Sequence, residues 1–415
     1  MTLELDLLPA DVKIGEGDLE FGRTDILLEA AQFEADLRSF VPDDESAEKT
    51  VVEIPARTAK ETLAYLIAAF RLNLAPLPRQ ISTPRKTDLV SARGEIVLAT
   101  SGSGGAVKYP EFALESLLAN ARLIRDNLGI DARDHVALLQ PLDHSFGLVG
   151  QLFTALVAGA KIIDARVPFL DEQLTRLRDV TVLASVSYTL RRIFLESPKF
   201  PHLRLVGSAG GPFPGALRDS LRASHPEVEL ANQYGTTEAG PRLTSSSSKN
   251  PAFERGSVGV PLPGIELKLG DGGEVLFRSP TAMLGYLGDE RLTEQTRVGD
   301  FLRTGDVGRI EEGQLFVDGR KDDVVKVRGV KVSLAEIARV AEELTSGGAF
   351  AFATNDENGE ASITLVVEHR LTRQHLRPHL PLDRLPSDIH VVSSLPRLAS
   401  GKLDRAKIRR LFEAK

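Results

Sequence analysis

From residue 95 onward, segments with helical apolar spacing alternate with short apolar runs. Apolar residues three and four positions apart predict helices, whereas runs of four to eight apolar residues bounded by turns predict buried strands. The predicted strands are 95–100, 135–140, 161–165, 180–186 and 203–209, and the predicted helices are 111–128, 148–158 and 171–178. This alternation is typical of a layered α/β domain whose sheet is largely parallel.

The segments before and after this region have different patterns. Helical spacing at 25–42 and 58–74 is followed by a proline-containing stretch, 75–86, that the sequence predicts to be a connector. Short strands and glycine turns at 267–277 and 309–320 predict hairpins of a small β subdomain. The last ninety residues predict a separate α+β unit, whose elements are helix 333–344, two strands, helix 372–379 and a final strand. We therefore expect a large N-terminal domain, 1–321, and a small C-terminal domain, 322–415.

Length and composition restrict the class of protein. The chain has 415 residues, 42% hydrophobic and 26% charged, which fits a globular protein of two or three domains. A net charge of −7 argues against a general nucleic-acid binder. The absence of cysteine excludes disulfides, thiolate metal sites and a cysteine nucleophile. Neither a secretory signal nor an apolar stretch of membrane-spanning length is present, so we expect a cytoplasmic protein.

A loop rich in glycine and hydroxyl residues, Thr100 to Lys108, follows the first predicted strand. Its glycines let backbone N–H groups approach an anion, its hydroxyls add donors, and its lysine adds positive charge. A flexible surface turn would have a similar composition. The P-loop requires Gly, four residues and then Gly-Lys-Ser/Thr, and counted from Gly102 this motif fails at Val107 and Tyr109.

Four other segments carry candidate chemistry, although each alone is typical of a turn or a solvated loop. They are 232–238 (NQYGTTE), 303–306 (RTGD), 319–329 (GRKDDVVKVRG) and 395–405 (LPRLASGKLDR). The ring of Tyr234 can stack on a flat base, and Glu238 supplies the oxygen ligands that Mg²⁺ prefers. Asp306, beside a glycine, can accept both hydroxyls of a ribose.

Together and in this order, the segments resemble the adenylate-forming superfamily of acyl- and aryl-CoA synthetases, nonribosomal-peptide adenylation domains and firefly luciferase. The family's phosphate loop, approximately TSG(T/S)TGxPK, matches TSGSGGAVK, with Gly104 in place of the usual Thr and Val107 in place of Pro. The family motifs YGxTE, TGD, GRxDDxVKxRG and PxxxxGKxDR match residues 234–238, 304–306, 319–329 and 396–405, and weaker matches are 208–212 and 285–286. The resemblance extends over about residues 95–407. Because the phosphate loop normally lies deeper in the chain, we expect residues 1–94 to be a shortened first part.

The resemblance implies that a carboxylate attacks the α-phosphate of ATP and that pyrophosphate leaves. The implied catalytic residues are Lys402, Thr237 and Glu238, and Glu238 is also the implied Mg²⁺ ligand. The implied residues at the β- and γ-phosphates are Thr100, Ser101, Gly102, Ser103 and Lys108. The implied residues at the adenine are Gly210, Gly211 and Tyr234 with its neighbour Gly235. Asp306 and Arg320 are the implied residues at the ribose and phosphates. Both reactants are anions, so these groups would neutralise charge and fix the geometry of attack.

For the second half-reaction, the resemblance implies that the C-terminal domain rotates about a hinge at Asp322. Rotation would withdraw Lys402 and bring Gly329 to a tunnel for a pantetheine thiol. Only thirteen residues follow Lys402, so the thiol is expected from CoA or from a separate acyl carrier protein.

The segment QPLDHSFGL matches the PLxHxxG motif of acyl- and aryl-acid ligases, which places His144 in the expected substrate pocket. Relatives that activate amino acids usually have a Phe-Asp pair near this point, whereas Asp143 follows Leu142 here. Ser185 and Tyr188 are further pocket candidates. We therefore expect an aryl acid or a medium acyl chain as substrate, with ATP, Mg²⁺ and a phosphopantetheine thiol as the other participants.

Three alternatives stay open from the sequence. The adenylate could serve to form an amide, an ester or a lactone, or it could feed a luciferase-like oxygenation. The third is an inactive binding homologue, although Lys402, Asp306 and Glu238 are all present.

Overall fold

The structure is a computed structural model of the whole chain. It describes residues 8–17, 19–42, 48–101, 107–196, 199–327, 330–345, 347–355, 361–398 and 400–412.

A nine-stranded sheet forms the centre of the large domain. Its strands, in spatial order, are Val260–Pro261, Thr244–Ser247, Glu229–Tyr234, Leu205–Ala209, Val182–Ser185, His135–Leu138, Lys161–Asp164, Ile14–Glu16 and Leu19–Phe21. The six strands from Glu229–Tyr234 to Ile14–Glu16 are parallel, and the outer pairs at both ends are antiparallel. The predicted α/β fold with a largely parallel sheet is confirmed.

Alternate residues of each strand enter two different cores. Val136 and Leu138 pack into one hydrophobic cluster, whereas Ala137 and Leu139 pack into another. Since successive side chains of a strand point to opposite faces, both faces of the sheet are covered. Within the described ranges the helices are Arg23–Leu37, Ala59–Arg71, Leu114–Leu128, Ser145–Gly147, Thr154–Ala158, Leu170–Arg176, Ser187–Glu196, Gly215–Ser224, Glu290–Thr296, Leu334–Thr345, Arg373–Leu376 and Arg405–Phe412, with a π-helical segment at Leu148–Phe153.

Smaller sheets surround the central one. The predicted hairpins belong to a sheet of Glu266–Leu269, Glu274–Arg278, Arg297–Val298, Phe301–Glu311 and Gln314–Arg320, all antiparallel. The other small sheets are Ala75–Arg79 with Lys49–Pro55 and Arg85–Ser91, Gly285–Tyr286 with Pro110–Phe112 and Ile96–Val97, and Thr100–Ser101 with Val107–Lys108.

The prediction of a connector at 75–86 is wrong, because its two ends form strands. Ala75–Arg79 contains two prolines but lies at the edge of its sheet, parallel to Lys49–Pro55. Proline cannot donate to a ladder, and an edge strand leaves one row of N–H groups without a strand partner. The proline signal therefore indicated an edge strand and not a loop.

The C-terminal unit has cores of its own. Its sheets are Val324–Val327 with Val330–Ser333, and Ala349–Asn355 with Ala361–Val367 and Asp388–Val391. Among the described residues, the two hydrophobic clusters of this unit contain only residues from Val327 onward, and the other clusters contain none of them. The separation fits the proposed boundary at 321/322, which stays a prediction.

No helix within the described ranges is long and apolar enough to cross a membrane.

Candidate active site

The carboxyl ends of the parallel strands bring the candidate residues to one edge of the central sheet. Tyr234 ends the strand Glu229–Tyr234, and Gly210 directly follows Leu205–Ala209. Ser185 ends Val182–Ser185, and His144 lies six residues beyond His135–Leu138. Ligands of open α/β sheets bind at this edge, so the chain order of the motifs becomes a single spatial site.

A carboxylate with two fixed partners forms one side of this site. The hydroxyl of Tyr234 donates to Asp306 Oδ2 at 2.7 Å, and Arg320 Nη1 lies 3.3 Å from Asp306 Oδ1. Asp306 and Arg320 face each other across adjacent antiparallel strands, which sets this geometry. Burial raises the pKa of Asp306 above its usual value, and the positive charge of Arg320 opposes that shift. Each carboxylate oxygen can accept a second hydrogen bond, so Asp306 fits the predicted contact with ribose hydroxyls.

The turn after Tyr234 needs glycine at position 235. A Cβ atom there would lie 1.9 Å from the backbone oxygen of Pro241 and 3.0 Å from the Cα of Arg242. Only glycine therefore permits the tight approach that turns the chain toward Thr237 and Glu238.

Thr237 and Glu238 lie in a short 3-10 turn, Thr237–Ala239. Tyr286 donates to Glu238 Oε1 at 2.8 Å, and the hydroxyls of Ser145 and Thr237 are 3.0 Å apart. Burial and then the charge of Glu238 raise the pKa of Tyr286, which keeps the phenol protonated as a donor. Glu238 Oε2 has no hydrogen-bond partner among the described residues, so one oxygen is open toward the site.

The donor set around Glu238 fits Mg²⁺ bound jointly with a nucleotide. Across the described ranges, no group of three or more His, Cys, Asp or Glu side chains could hold a metal ion. Mg²⁺ commonly binds through one or two carboxylates, water and substrate phosphates, and a single available carboxylate oxygen matches that mode.

The phosphate-loop residues that the structure describes form a β-ladder. Thr100 pairs with Lys108, and the Lys108 ammonium lies 5.4 Å from the ring centroid of Tyr286. Tyr286 also contacts Glu238, so the loop lies beside the predicted metal ligand. Gly102 and Ser103 lie outside the described residues, as does Gly329; Ser101 is described by its backbone alone.

Lys402 reaches the site from the C-terminal unit. Its loop is a tight turn that two backbone hydrogen bonds close: the N–H of Leu398 donates to Lys402 O at 2.8 Å, and the N–H of Gly401 donates to Leu398 O at 2.9 Å. Gly401 has a φ of 79°, in the left-handed region that favours glycine. A Cβ atom on Gly210 would be 3.1 Å from Lys402 Cε and 3.6 Å from its Nζ. On Gly211 a Cβ atom would meet nothing within 4 Å, so this side faces open space where the adenine is expected.

The Lys402 ammonium lies in a cleft that is enclosed by protein and still reached by water. This enclosure lowers the pKa of Lys402, whereas the nearby Asp306 carboxylate raises it. Burial also lowers the pKa of His144, with Asp143 opposing that shift and Lys402 adding to it. The charges of His144 and Lys402 therefore interact, and the prediction that both line the substrate pocket stays a prediction.

The two other pocket candidates have different surroundings. Ser185 is fully buried, and its hydroxyl accepts a hydrogen bond from Gln140 Nε2 at 2.8 Å. The ring of Tyr188 is exposed, and the Arg397 guanidinium carbon lies 3.7 Å from its centroid. Tyr188 thus contacts the loop that carries Lys402.

A cavity of about 450 Å³ lies beside this contact, and we call it the arginine-lined cavity. Tyr188, Gln140 and Gly401 line it together with four arginines: Arg57, Arg166, Arg192 and Arg397. No acidic residue within the described ranges lines it.

The proposed hinge, Asp322, lies in a 3-10 turn, Lys321–Asp323, that joins the two units. The next residue, Asp323, is buried and receives hydrogen bonds from Arg405 Nη1 at 2.7 and 3.0 Å. Since Arg405 follows Lys402 by three residues, this ion pair ties the hinge to the lysine loop.

Sequence reasoning assigned no role to Arg242, Gln233 or Arg397, which lie beside predicted site residues. Each lies within or directly beside a matched motif: Gln233 precedes YGTTE, Arg242 follows it by four residues, and Arg397 is the second residue of PRLASGKLDR. The flanking positions of a motif were the available signal.

The carboxyl edge of the parallel sheet gathers a partnered carboxylate, Asp306, and a lysine from a second unit, Lys402, an arrangement that fits a nucleotide-dependent enzyme. The chain belongs to the AMP-binding enzyme family, whose model matches residues 27–287. The resemblance found in the motifs is thereby confirmed.

The chain is 28% identical over 331 residues to the 2-succinylbenzoate–CoA ligase of Listeria monocytogenes serotype 4b (strain F2365), which covers 77% of this chain and 70% of the relative. Its fold is similar to that of the anthranilate CoA ligase AuaEII in complex with anthranoyl-AMP, with a TM-score of 0.83, 20% identity and coverage of 100% of this chain and 96% of the other. It is also similar to the Bacillus subtilis O-succinylbenzoate coenzyme A synthetase in complex with ATP and magnesium ion, with a TM-score of 0.82, 19% identity and 98% coverage of both chains.

Proposed function

We propose that this enzyme uses ATP to activate a carboxylic acid as an acyl adenylate and then transfers the acyl group to the thiol of CoA. The observation that carries the proposal is the position of Lys402 against Gly210, at the edge where Asp306, Thr237 and Glu238 also lie. A cation between the expected acid and nucleotide serves a reaction that joins two anions.

In the first half-reaction, a carboxylate oxygen attacks the α-phosphorus, and the bond to the pyrophosphate oxygen breaks. Lys402 neutralises the attacking carboxylate, and the Thr237 hydroxyl donates to the α-phosphate. Asp306 fixes the ribose, while Lys108 and the loop that precedes it hold the outer phosphates. Mg²⁺, when bound at Glu238, supplies charge neutralisation of the departing pyrophosphate.

In the second half-reaction, a thiolate attacks the acyl carbon, and AMP leaves with the oxygen that came from the carboxylate. The thiol proton goes to solvent. The Lys402 loop now occupies the side of the site next to the arginine-lined cavity, so we propose that rotation about Asp322 opens this side.

The arginine-lined cavity supports a phosphate-bearing thiol. Arg166 uses its Nε and Nη2 to bind Asp164 at 2.9 and 2.5 Å, which leaves its Nη1 without a hydrogen-bond partner among the described residues. Arg192 forms no ion pair with any described residue and is exposed. Guanidinium groups with available N–H donors suit the phosphates of CoA. The phosphopantetheine of a carrier protein has the same chemistry and is the alternative acceptor.

We propose an aryl acid or a medium acyl chain as the substrate class. Phe146, two residues beyond His144, supplies an aromatic ring near the expected pocket, and the relatives named above are ligases of 2-succinylbenzoate and anthranilate. Both of these acids contain an aromatic ring, which favours the aryl alternative.

The test is to incubate the full chain with ATP, Mg²⁺ and a panel of aryl and medium-chain acids, with CoA, with a holo carrier protein, or with neither. Pyrophosphate release and the mass of the acylated product are measured. We expect acid-dependent pyrophosphate release and a CoA thioester. A Lys402→Ala variant should lose the release, and Lys407→Ala, which alters an exposed lysine five residues away, should not.

An Arg192→Met variant tests the thiol assignment separately. We expect the KM for CoA to rise several-fold while pyrophosphate release in the absence of thiol stays unchanged. If an amine or alcohol is acylated and no thiol is, the thiol assignment fails and the amide or ester alternative replaces it.

A further inference from the structure

Arg242 is a buried arginine without a counter-ion. The residue is 3% exposed, and its Nε is buried with no hydrogen-bond partner. The guanidinium forms no ion pair or hydrogen bond with any described residue, although its backbone is fixed by two hydrogen bonds with the amide of Asn120, at 2.9 and 3.0 Å. The fold thus positions this residue firmly and leaves its charge unpaired.

Other buried arginines of the chain do have partners. Arg166 binds the buried carboxylate of Asp164, and Arg218 donates to the backbone oxygen of Phe253 at 2.6 Å and lies 3.7 Å from Glu254. Buried charges in proteins are normally paired, because an uncompensated charge is costly. Burial alone lowers the pKa of Arg242 to about 10, with no neighbouring acid to oppose it. The missing partner is therefore expected to be an anion that is not part of the described protein.

The guanidinium lies close to the segment that follows His144, the substrate-pocket candidate. Its carbon is 5.2 Å from the ring centroid of Phe146, two residues beyond His144. A Cβ atom on Gly150 would be 3.5 Å from Arg242 Nη2, so the helical segment that begins at Ser145 passes close to the charge. The positive charge of Arg242 makes the smallest of the contributions to the lowered pKa of Lys402, so the two cations are close enough to interact.

A second unpartnered polar group lies on the strand Glu229–Tyr234, which leads to Gly235. Gln233 is 2% exposed, and neither its amide nitrogen nor its amide oxygen has a hydrogen-bond partner. Gly235, two residues further on, packs against the Cα of Arg242. Buried amides are normally hydrogen-bonded, so Gln233 is a second buried polar side chain near the site whose partner is missing among the described residues.

We propose that the acid substrate carries a second anionic group, which Arg242 binds while Lys402 takes the reacting carboxylate. The inference rests on the proposed function and specifies its substrate class: a dicarboxylic acid, or a carboxylic acid with an equivalent second anion. Lys402 and Arg242 come from different units and different motifs, so two cations around one pocket match an acid with two anionic ends. The ring of Phe146 packs beside the guanidinium and suits the carbon skeleton between those ends.

The experiment compares each diacid with the monoacid in which one carboxylate is replaced by a methyl group. Suitable pairs are phthalate with 2-methylbenzoate, isophthalate with 3-methylbenzoate, terephthalate with 4-methylbenzoate, glutarate with pentanoate, and adipate with hexanoate. The kcat/KM for acid-dependent pyrophosphate release is measured for the wild type, Arg242→Met, Arg242→Lys and the control Arg291→Met, which alters an exposed arginine.

We expect the wild type to prefer at least one diacid over its monoacid on the order of 100-fold, since a site built for a polar group rejects an analogue that lacks it. Arg242→Met should abolish or reverse that preference while activity on monoacids changes only a few-fold. Arg242→Lys should retain part of the preference for the diacid, and Arg291→Met should retain the full preference. The unliganded Arg242→Met protein should melt no lower than the wild type, because it loses an unpaired buried charge.

Three results would overturn the inference: every monoacid outperforming its diacid, an unchanged ratio in Arg242→Met, or an equal loss for all acids in that variant. An equal loss for all acids would mean that Arg242 binds the reacting carboxylate or stabilises the fold. The thermal shift caused by each diacid without ATP gives a readout independent of turnover. If no acid supports pyrophosphate release but a diacid stabilises the wild type and not Arg242→Met, the proposed function fails and the anion site stands. If neither effect occurs, both fail.

Discussion

Replacing Tyr188 with alanine tests how the lysine loop is held in the site. The Arg397 guanidinium stacks on the Tyr188 ring with its carbon 3.7 Å from the ring centroid. The same guanidinium donates from Nη1 to Gly401 O at 3.1 Å, directly beside Lys402. Removing the ring should therefore weaken the docking of the loop and leave the chemistry of Lys402 itself intact.

The expected magnitude follows from the exposure of the two groups. The Tyr188 residue is 37% exposed, whereas the Arg397 side chain is only 16% exposed. Cation–π contacts contribute about 0.5–1 kcal/mol when exposed and about 2 kcal/mol when desolvated, so a contribution of about 1 kcal/mol is reasonable here. Because about 1.4 kcal/mol corresponds to a tenfold change in an equilibrium, Tyr188→Ala should lower the adenylation rate about three- to tenfold.

The assay measures the two half-reactions separately. Single-turnover pyrophosphate release reports adenylation, and thioester formation from a supplied acyl adenylate reports transfer. Tyr188→Ala should slow only the first, Tyr188→Phe should be close to the wild type, and Phe169→Ala, which removes an exposed ring, should change neither. An unchanged adenylation rate, or an equal loss in both half-reactions, would refute the docking role of Tyr188.

The remaining predictions concern three charged groups. Lys402→Ala should abolish adenylation but leave transfer from a supplied acyl adenylate largely intact, because the lysine has left the site by then; equal loss of both would contradict the two-conformation mechanism. Since the pKa of Asp306 is raised, its carboxylate protonates at a higher pH than that of an exposed aspartate. The affinity of the wild type for AMP, measured by calorimetry, should therefore weaken on mild acidification. The affinity of Asp306→Asn should not depend on pH in this way. Burial raises the pKa of Glu342 to about 7. The folded state therefore binds more protons than the unfolded state between pH 4.5 and 7, so the free energy of unfolding should fall as pH rises through that range, by at most about 1.4 kcal/mol per pH unit. Denaturant titrations of Glu342→Gln should lack this slope, and a slope unchanged from the wild type would exclude Glu342 as its source.

The sequence predicted the parts of the fold whose apolar pattern is long or repeated. The helix predicted at 111–128 is Leu114–Leu128, and the strand predicted at 203–209 is Leu205–Ala209. Ile14–Glu16 and Leu19–Phe21 escaped prediction, because three residues show no period and their place in the sheet depends on a partner far along the chain. Short strands are defined by tertiary pairing more than by their own residues.

For the candidate site, too, the sequence could predict some features and not others. The motifs predicted Tyr234, Asp306 and Lys402 as one set; in the structure Tyr234 donates to Asp306, and the charge of Asp306 acts on Lys402, while their roles stay predictions. The sequence could not show that Arg242 lacks a partner, because an absent counter-ion is a property of the packed interior. Nor could it show that Tyr188 stacks on Arg397, a contact between units that lie two hundred residues apart.

The most direct test of acid activation is the fate of the carboxylate oxygen. The enzyme is given an acid labelled with ¹⁸O in both carboxylate oxygens, together with ATP, Mg²⁺ and CoA, and the AMP product is analysed by mass spectrometry. If the carboxylate attacks the α-phosphate, the AMP carries one ¹⁸O atom and the thioester keeps the other. AMP without label, formed at the same rate as the thioester, would contradict the acyl adenylate and the account built on it.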